Sequence, residues 1–97
     1  FRTYVEEKYQ DYNAHLHPKA NDVSIEQFQI SDNSKLIGKT IQQSGIRDKA
    51  DCLVIGIERG NTSLKNPDPS MQFQEGDLVW IVGERSKVLR FSESNTL

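Results

Sequence analysis

The chain has 97 residues, a formal net charge of −2, 27% charged and 35% hydrophobic residues, and a single cysteine, Cys52. These figures exclude an intrachain disulfide, a basic nucleic-acid footprint and any apolar run of the ~20 residues that a bilayer-crossing helix needs. They allow one domain, which at this length buries roughly 60–65% of its unfolded surface and gains from oligomerisation.

In chain order, Phe1, Val5, Tyr9, Tyr12 and Leu16 recur at spacings of three or four, which predicts an amphipathic helix with an aromatic stripe over residues 1–16. Pro18 blocks its continuation. Such a helix either packs on its own domain or descends as a connector from a preceding one. With a start at Phe1 rather than methionine, a piece of a longer protein is the simplest expectation, and it slightly favours the connector. Asn21 and Asp22 predict a turn, and residues 23–30 a strand. Val23 and Ile25 share one face and Phe28 and Ile30 the other, so the strand needs either a bulge near Glu26 and Gln27 or apolar cover on both faces.

After a polar loop from Ser31 to Ser34, Thr40 and Gln43 fit a capping box and Gly45 a left-handed C-terminal cap. A short helix is predicted over 41–44, with Leu36, Ile37, Ile41 and Ile46 covering a sheet. Residues 47–51 read as a charged connector. The centre of the chain follows: two apolar runs, 52–57 and 78–82, bounded by turn chemistry. Leu53, Ile55 and Ile57 alternate with Cys52, Val54 and Gly56, and neither set is polar, so both faces of this strand demand cover. Helices on one face and another copy of the chain on the other would supply it. Gly60 and Asn61 suit a tight hairpin turn, with a return strand over 63–66. Pro67 and Pro69 confine their segment to an edge or a crossing loop, and Met71 and Phe73 alternate inward. Glu75, Gly76 and Asp77 turn the chain into its last strand, and residues 85–91 predict a helix anchored by Val88, Leu89 and Phe91. The organisation is thus a connector helix and linker over 1–20, a domain over 21–92 and a disordered polar tail over 93–97.

Catalytic and metal-binding patterns are missing. No glycine-rich phosphate loop occurs. His15 and His17 form a bare H-x-H without a third ligand of matching spacing. Cys52 sits in an apolar run without a local base and reads as an inert buried thiol. Asp48, Asp51, Asp68, Glu75 and Asp77 fall in turns, where such side chains bond their own backbone. Trp80 reads as filling a core or an interface.

Five pieces nevertheless stand in a recognisable order: Leu36-Ile37-Gly38-Lys39-Thr40-Ile41, Gly45-Ile46-Arg47, Ile57-Glu58-Arg59-Gly60, Asn66-Pro67-Asp68-Pro69, and Glu75-Gly76-Asp77-Leu78-Val79-Trp80-Ile81-Val82-Gly83. Together they resemble the RCK C-terminal domain, also called TrkA-C, over roughly residues 25–91. The resemblance implies an α+β fold: a small, mostly antiparallel β-sheet covered by short helices, and dimeric. It implies a regulatory, non-enzymatic domain of a membrane monovalent-cation transporter, a cation/proton antiporter foremost, lying on the cytoplasmic face of the membrane. Its partners would be a second copy, the rest of the transporter chain and a small-molecule effector, with no nucleic acid, no metal and no resident cofactor. Some members bind cyclic di-AMP between two subunits, and the matching positions here are Ile46, Arg47, Leu53, Val54 and Pro67, with Arg47 meeting a phosphate. Those binders carry an asparagine where this chain has Leu53, so one polar contact to a cyclic dinucleotide is absent. A fragment of a potassium-channel or uptake gating subunit, and a purely structural dimerisation module, are the alternatives.

Overall fold

In the computed structural model, residues 1–11 and 23–94 are described. They form α1 (Arg2–Asp11), β1 (Val23–Gln29), α2 (Ile41–Ser44), α3 (Ile46–Ala50), β2 (Leu53–Arg59), β3 (Thr62–Lys65), β4 (Leu78–Glu84) and α4 (Arg85–Ser94). Glu93 and Ser94, expected in a disordered tail, extend α4 instead, because the helix continues past its last anchor Phe91. Tyr12, Leu16, His15, His17, the Asn21-Asp22 turn and residues 95–97 of the tail lie outside the described residues.

The four strands make one antiparallel sheet in the order β1-β4-β2-β3. The last strand therefore lies inside, between β1 and β2. That place suits its sequence, because Val79 to Gly83 are all buried. Along β4, Val79 and Ile81 join one apolar cluster while Trp80 and Val82 join another on the opposite face. The Trp80 indole N–H donates to Glu58 Oε2 at 3.0 Å, so its one polar group is satisfied.

β1 pairs with β4 without a register shift from Val23 to Gln29. The bulge expected near Glu26 and Gln27 is absent; Phe28 packs into the first cluster and Ile25 against the second, so cover on both faces is what reconciles its pattern. The irregularity sits instead in β2. Val54 pairs with Ile81 and Gly56 with Trp80, which leaves Ile55 as an extra residue. Its carbonyl accepts the Asn66 N–H at 2.9 Å, so the backbone is not orphaned. The bulge switches the alternation. Cys52, Val54 and Ile57 share one face, while Leu53 and Ile55 share the other. Gly56 also lies on that second face, since a methyl group there would meet the Phe1 ring.

The first face is covered by the segment from Ile30 to Ala50 and by α4, with Leu36, Ile46, Phe73 and Phe91 in its core. Ile37 and Leu89, expected to help, are 40% and 52% exposed. Ile37 forms an isolated bridge to Phe73 between turn residues, and the buried stripe of α4 runs through Val88 and Phe91, three apart, leaving Leu89 beside it. The second face is covered by α1, not by another copy. Val5 is fully buried against Ile55, Trp80 and Val82, and the Phe1 ring meets Trp80 edge-on with centroids 6.1 Å apart. The helix thus packs on its own domain, and the uncovered face that argued for a second subunit is already occupied.

Gly83 lies where β4 crosses Cys52, and a Cβ there would come within 2.7 Å of the thiol sulfur. Gly83→Ala is expected to cost about 1–3 kcal/mol, the usual range for overpacking. In a Cys52→Ala background the same change should cost less, because the sulfur is gone. Equal losses in the two backgrounds, measured by chemical denaturation, would show that the contact does not limit this position.

Candidate ligand cleft

Local rules build the cleft from its α2 side. Thr40 Oγ1 accepts the Gln43 N–H and Gln43 Oε1 accepts the Thr40 N–H, both at 3.0 Å, as the capping box predicts. Gly45 follows at φ 74°, a left-handed cap that also starts α3. Residues 46–50 are therefore helical, not the charged connector expected from their composition. Ile46 and Ala50, four apart, are buried and anchor the helix, which holds Arg47 and Asp48 at its exposed start.

The opposite wall is the start of β2 and the loop after β3. Two backbone bonds tie the walls, Gln42 N–H to Pro69 O at 3.0 Å and Ile41 N–H to Met71 O at 2.9 Å, and Asn66 N–H to Ile55 O at 2.9 Å joins the loop to β2 within the second wall. Within the proline loop, Asp68 Oδ1 accepts both the Ser70 hydroxyl at 2.7 Å and the Ser70 N–H at 2.9 Å. The hydroxyl first, and then the amide, hold the Asp68 carboxyl below the usual range.

Between these walls opens a cleft of about 540 Å³. It brings together all five residues singled out from the sequence: Ile46, Arg47, Leu53, Val54 and Pro67. Gln42, Asp48, Asn66 and Pro69 also line it and were not anticipated; their signal lay in the backbone pairing of α2 with the proline loop, which no short motif encodes. The floor is apolar, from Ile41, Ile46, Leu53, Val54 and the two prolines. Charge is confined to Arg47 and Asp48, and the Arg47 side chain has no ion-pair partner among the described residues. Such a lining suits a flat apolar or heteroaromatic group with an anionic substituent near Arg47. Cys52 also borders the cleft, but burial pushes its thiol up from 9.0 to about 11, with Asp51 adding to the shift. It stays a neutral thiol near pH 7 and is no nucleophile. Among the described residues no group of three His, Cys, Asp or Glu is placed to hold a metal ion, and no helix is long and apolar enough to cross a membrane.

A small antiparallel sheet with helices on both faces and a cleft beside a capped two-turn unit defines an α+β domain of the RCK C kind. The TrkA-C domain model matches residues 25–95, and the chain belongs to that family. Among similar proteins, the Ktr system potassium uptake protein A of Vibrio alginolyticus is 31% identical over 73 residues, 75% of this chain and 32% of that protein. The ammonium/H(+) antiporter subunit AmhM of Alkalihalophilus pseudofirmus is 25% identical over 71 residues, 73% of this chain and 42% of that protein. The chain thus spans less than half the length of either relative. In structure it is similar to the RCK C domain of the potassium transport protein KtrA solved in complex with cyclic diadenosine monophosphate. That likeness has a TM-score of 0.69 at 24% identity and covers 92% of this chain and 98% of that one. The RCK_C domain dimer of S. agalactiae BusR in complex with c-di-AMP is similar at a TM-score of 0.65 and 20% identity, over 72% of this chain and 92% of that one.

Proposed function

We propose that this chain is the regulatory, dimerising domain of a membrane transport system for monovalent cations, positioned on the cytoplasmic face, and that its cleft binds a phosphate-bearing nucleotide. The observation that carries this reading is the convergence of Ile46, Arg47, Leu53, Val54 and Pro67 on one cleft with an apolar floor and one cation that has no ion-pair partner among the described residues. A cyclic dinucleotide shared between two copies is the leading ligand class: the bases lie on the apolar floor and a phosphate meets Arg47. A cation/proton antiporter is the favoured transporter, supported by the likeness to AmhM; a potassium uptake or channel protein is the variant supported by the likeness to the Ktr protein. Regulation follows by population shift. A ligand that prefers one arrangement of the pair biases the attached transport machinery by its differential affinity, about 1.4 kcal/mol per tenfold preference.

Calorimetric titration with cyclic di-AMP, other cyclic dinucleotides and adenine nucleotides, with light scattering for the oligomeric state, tests the proposal. Arg47→Gln should weaken binding about 10-fold or more, the worth of a charge-assisted hydrogen bond. Leu53→Asn should strengthen cyclic di-AMP binding by restoring the missing polar contact. Binding undiminished by Arg47→Gln would place the ligand elsewhere. A second reading, a structural dimerisation module without a ligand, is favoured by Asp48, which offsets the Arg47 charge at the mouth of the same cleft. A constitutive dimer that no candidate ligand stabilises would establish it.

A further inference from the structure

A second cleft, of about 360 Å³, shares no lining residue with the first. It gathers four cations from three parts of the fold: Lys39 just before α2, Lys49 on α3, and Lys87 and Arg90, three apart on one face of α4. No carboxylate is among its lining residues. Asp51 and Glu84 approach Lys87 at 3.7 and 3.8 Å, distances at which exposed pairs bind weakly. The Lys49 methylenes lie over Gly45, with Cδ 3.1 Å from where a Cβ would stand, so the stem is seated against the turn between α2 and α3. Phe91, buried in the core, closes one side.

This is an unusual distribution for an acidic chain. Four of its 12 Lys and Arg residues border one cleft although the net charge is −2. Like charges brought together repel, and interspersed opposite charge is the ordinary surface solution. Compact lysine ammonium groups beside a guanidinium fork form the donor set that suits phosphate oxygens, which accept from several donors at once.

We infer that this cleft is a second anion site, separate from the Arg47 cleft, and that it takes a compact cluster of phosphate groups. Lys39 and Lys49 supply cations that have no ion-pair partner among the described residues, and Lys87 exchanges its two distant carboxylates for the ligand. The phosphates belong either to a soluble polyphosphate compound or to lipid headgroups. The site does not depend on what the Arg47 cleft binds.

Titrating the 97-residue chain with sodium pyrophosphate at roughly 50 mM ionic strength, where exposed charges are least screened, tests this. Saturable binding is expected. Lys39→Gln with Lys49→Gln should weaken it about tenfold or more, Lys39→Arg with Lys49→Arg should retain it, and Arg47→Gln should leave it within about twofold. Circular dichroism melts confirm that each variant is folded. Sedimentation with phosphatidylcholine vesicles, with and without phosphatidylglycerol, separates the sources. Vesicle binding displaced by pyrophosphate assigns the site to lipid phosphates, and pyrophosphate binding without vesicle binding assigns it to a soluble compound. Absence of both, binding unaffected by the double glutamine change, or binding lost equally in Arg47→Gln would overturn the inference.

Discussion

Arg59→Ala will destabilise the domain by about 3–5 kcal/mol and lower Tm by of the order of 15 °C, a loss as large as that of truncating a core aromatic. Arg59 ends β2 and Asp77 immediately precedes β4. The guanidinium donates from Nε to Asp77 Oδ1 and from Nη2 to Oδ2, each at 2.8 Å, and Nη2 also reaches the Gln72 carbonyl at 3.0 Å. Asp77 is fully buried, and its carboxylate further accepts the Gln74 N–H at 2.8 Å. The hydrogen bond to Asp77 raises the Arg59 pKa still further above its ordinary value, so the guanidinium stays charged across all ordinary pH. The same residue bonds backbone in both directions, accepting the Ile30 N–H at 2.8 Å and donating to Gln74 O at 3.1 Å.

Asp77 is thus the point where the ends of β1 and β2, the 72–77 turn and the start of β4 are tied. Removing Arg59 strands a buried charge; against a total stability of ~5–15 kcal/mol for a domain of this size, that is a large fraction. The cause is separable from loss of packing. Adding Asp77→Asn to Arg59→Ala removes the stranded charge, so the double variant should be more stable than Arg59→Ala alone. Denaturant unfolding that finds the double variant no better, or Arg59→Ala costing under about 1 kcal/mol, would show that the pair is not a staple of the fold.

Val5→Asp should detach α1 from the sheet. Val5 is the fully buried contact of the helix, and a carboxylate in its place would lie among Ile55, Trp80 and Val82 with no cation to meet it. Burying that charge costs several kcal/mol, and a ten-residue helix held by one apolar face escapes that cost by undocking. Trp80 is the only tryptophan and is 9% exposed beneath Phe1, so its emission should shift to the red. The bared apolar face, with Ile25, Leu53 and Leu78 at its margin, should promote self-association in light scattering. Tyr4 offers a check on specificity: it lies 5.2 Å from the Lys65 ammonium of β3, and that exposed contact should contribute only a few tenths of a kcal/mol to docking. An unchanged Trp80 spectrum in Val5→Asp would mean that α1 is not held by this face. If α1 carries the response from the cleft toward a transport domain, as expected of a connector, the same variant placed beside such a transport domain should uncouple ligand binding from transport.

Several elements were legible in the sequence because their causes are local. The Thr40–Gln43 capping box, the Gly45 cap and the Gly60-Asn61 hairpin each depend on residues within a few positions, and all three form where their spacing puts them. The doubly apolar runs of β2 and β4 announced strands buried on both sides, and the ordered motif pieces announced the family. What covers the second face, by contrast, depends on contacts between residues fifty to eighty apart. Periodicity showed that the first helix was amphipathic but not which surface it would meet. The bulge at Ile55 arises from pairing between β2 and β4, so no local pattern in β2 could disclose that Gly56 and Ile57 change faces.

The cleft divides in the same way. That Ile46, Arg47, Leu53, Val54 and Pro67 matter as a group came from resemblance; that they share one cleft with Asn66 and Asp48 required the pairing of α2 with the proline loop. Arg59 and Asp77 each stood in a short motif, eighteen positions apart, with nothing to say that one answers the other. The sequence by itself determined the turns, caps and apolar runs, whose energies are settled within a few residues. Only the tertiary structure decided which faces, charges and walls meet, because those depend on the register of distant strands.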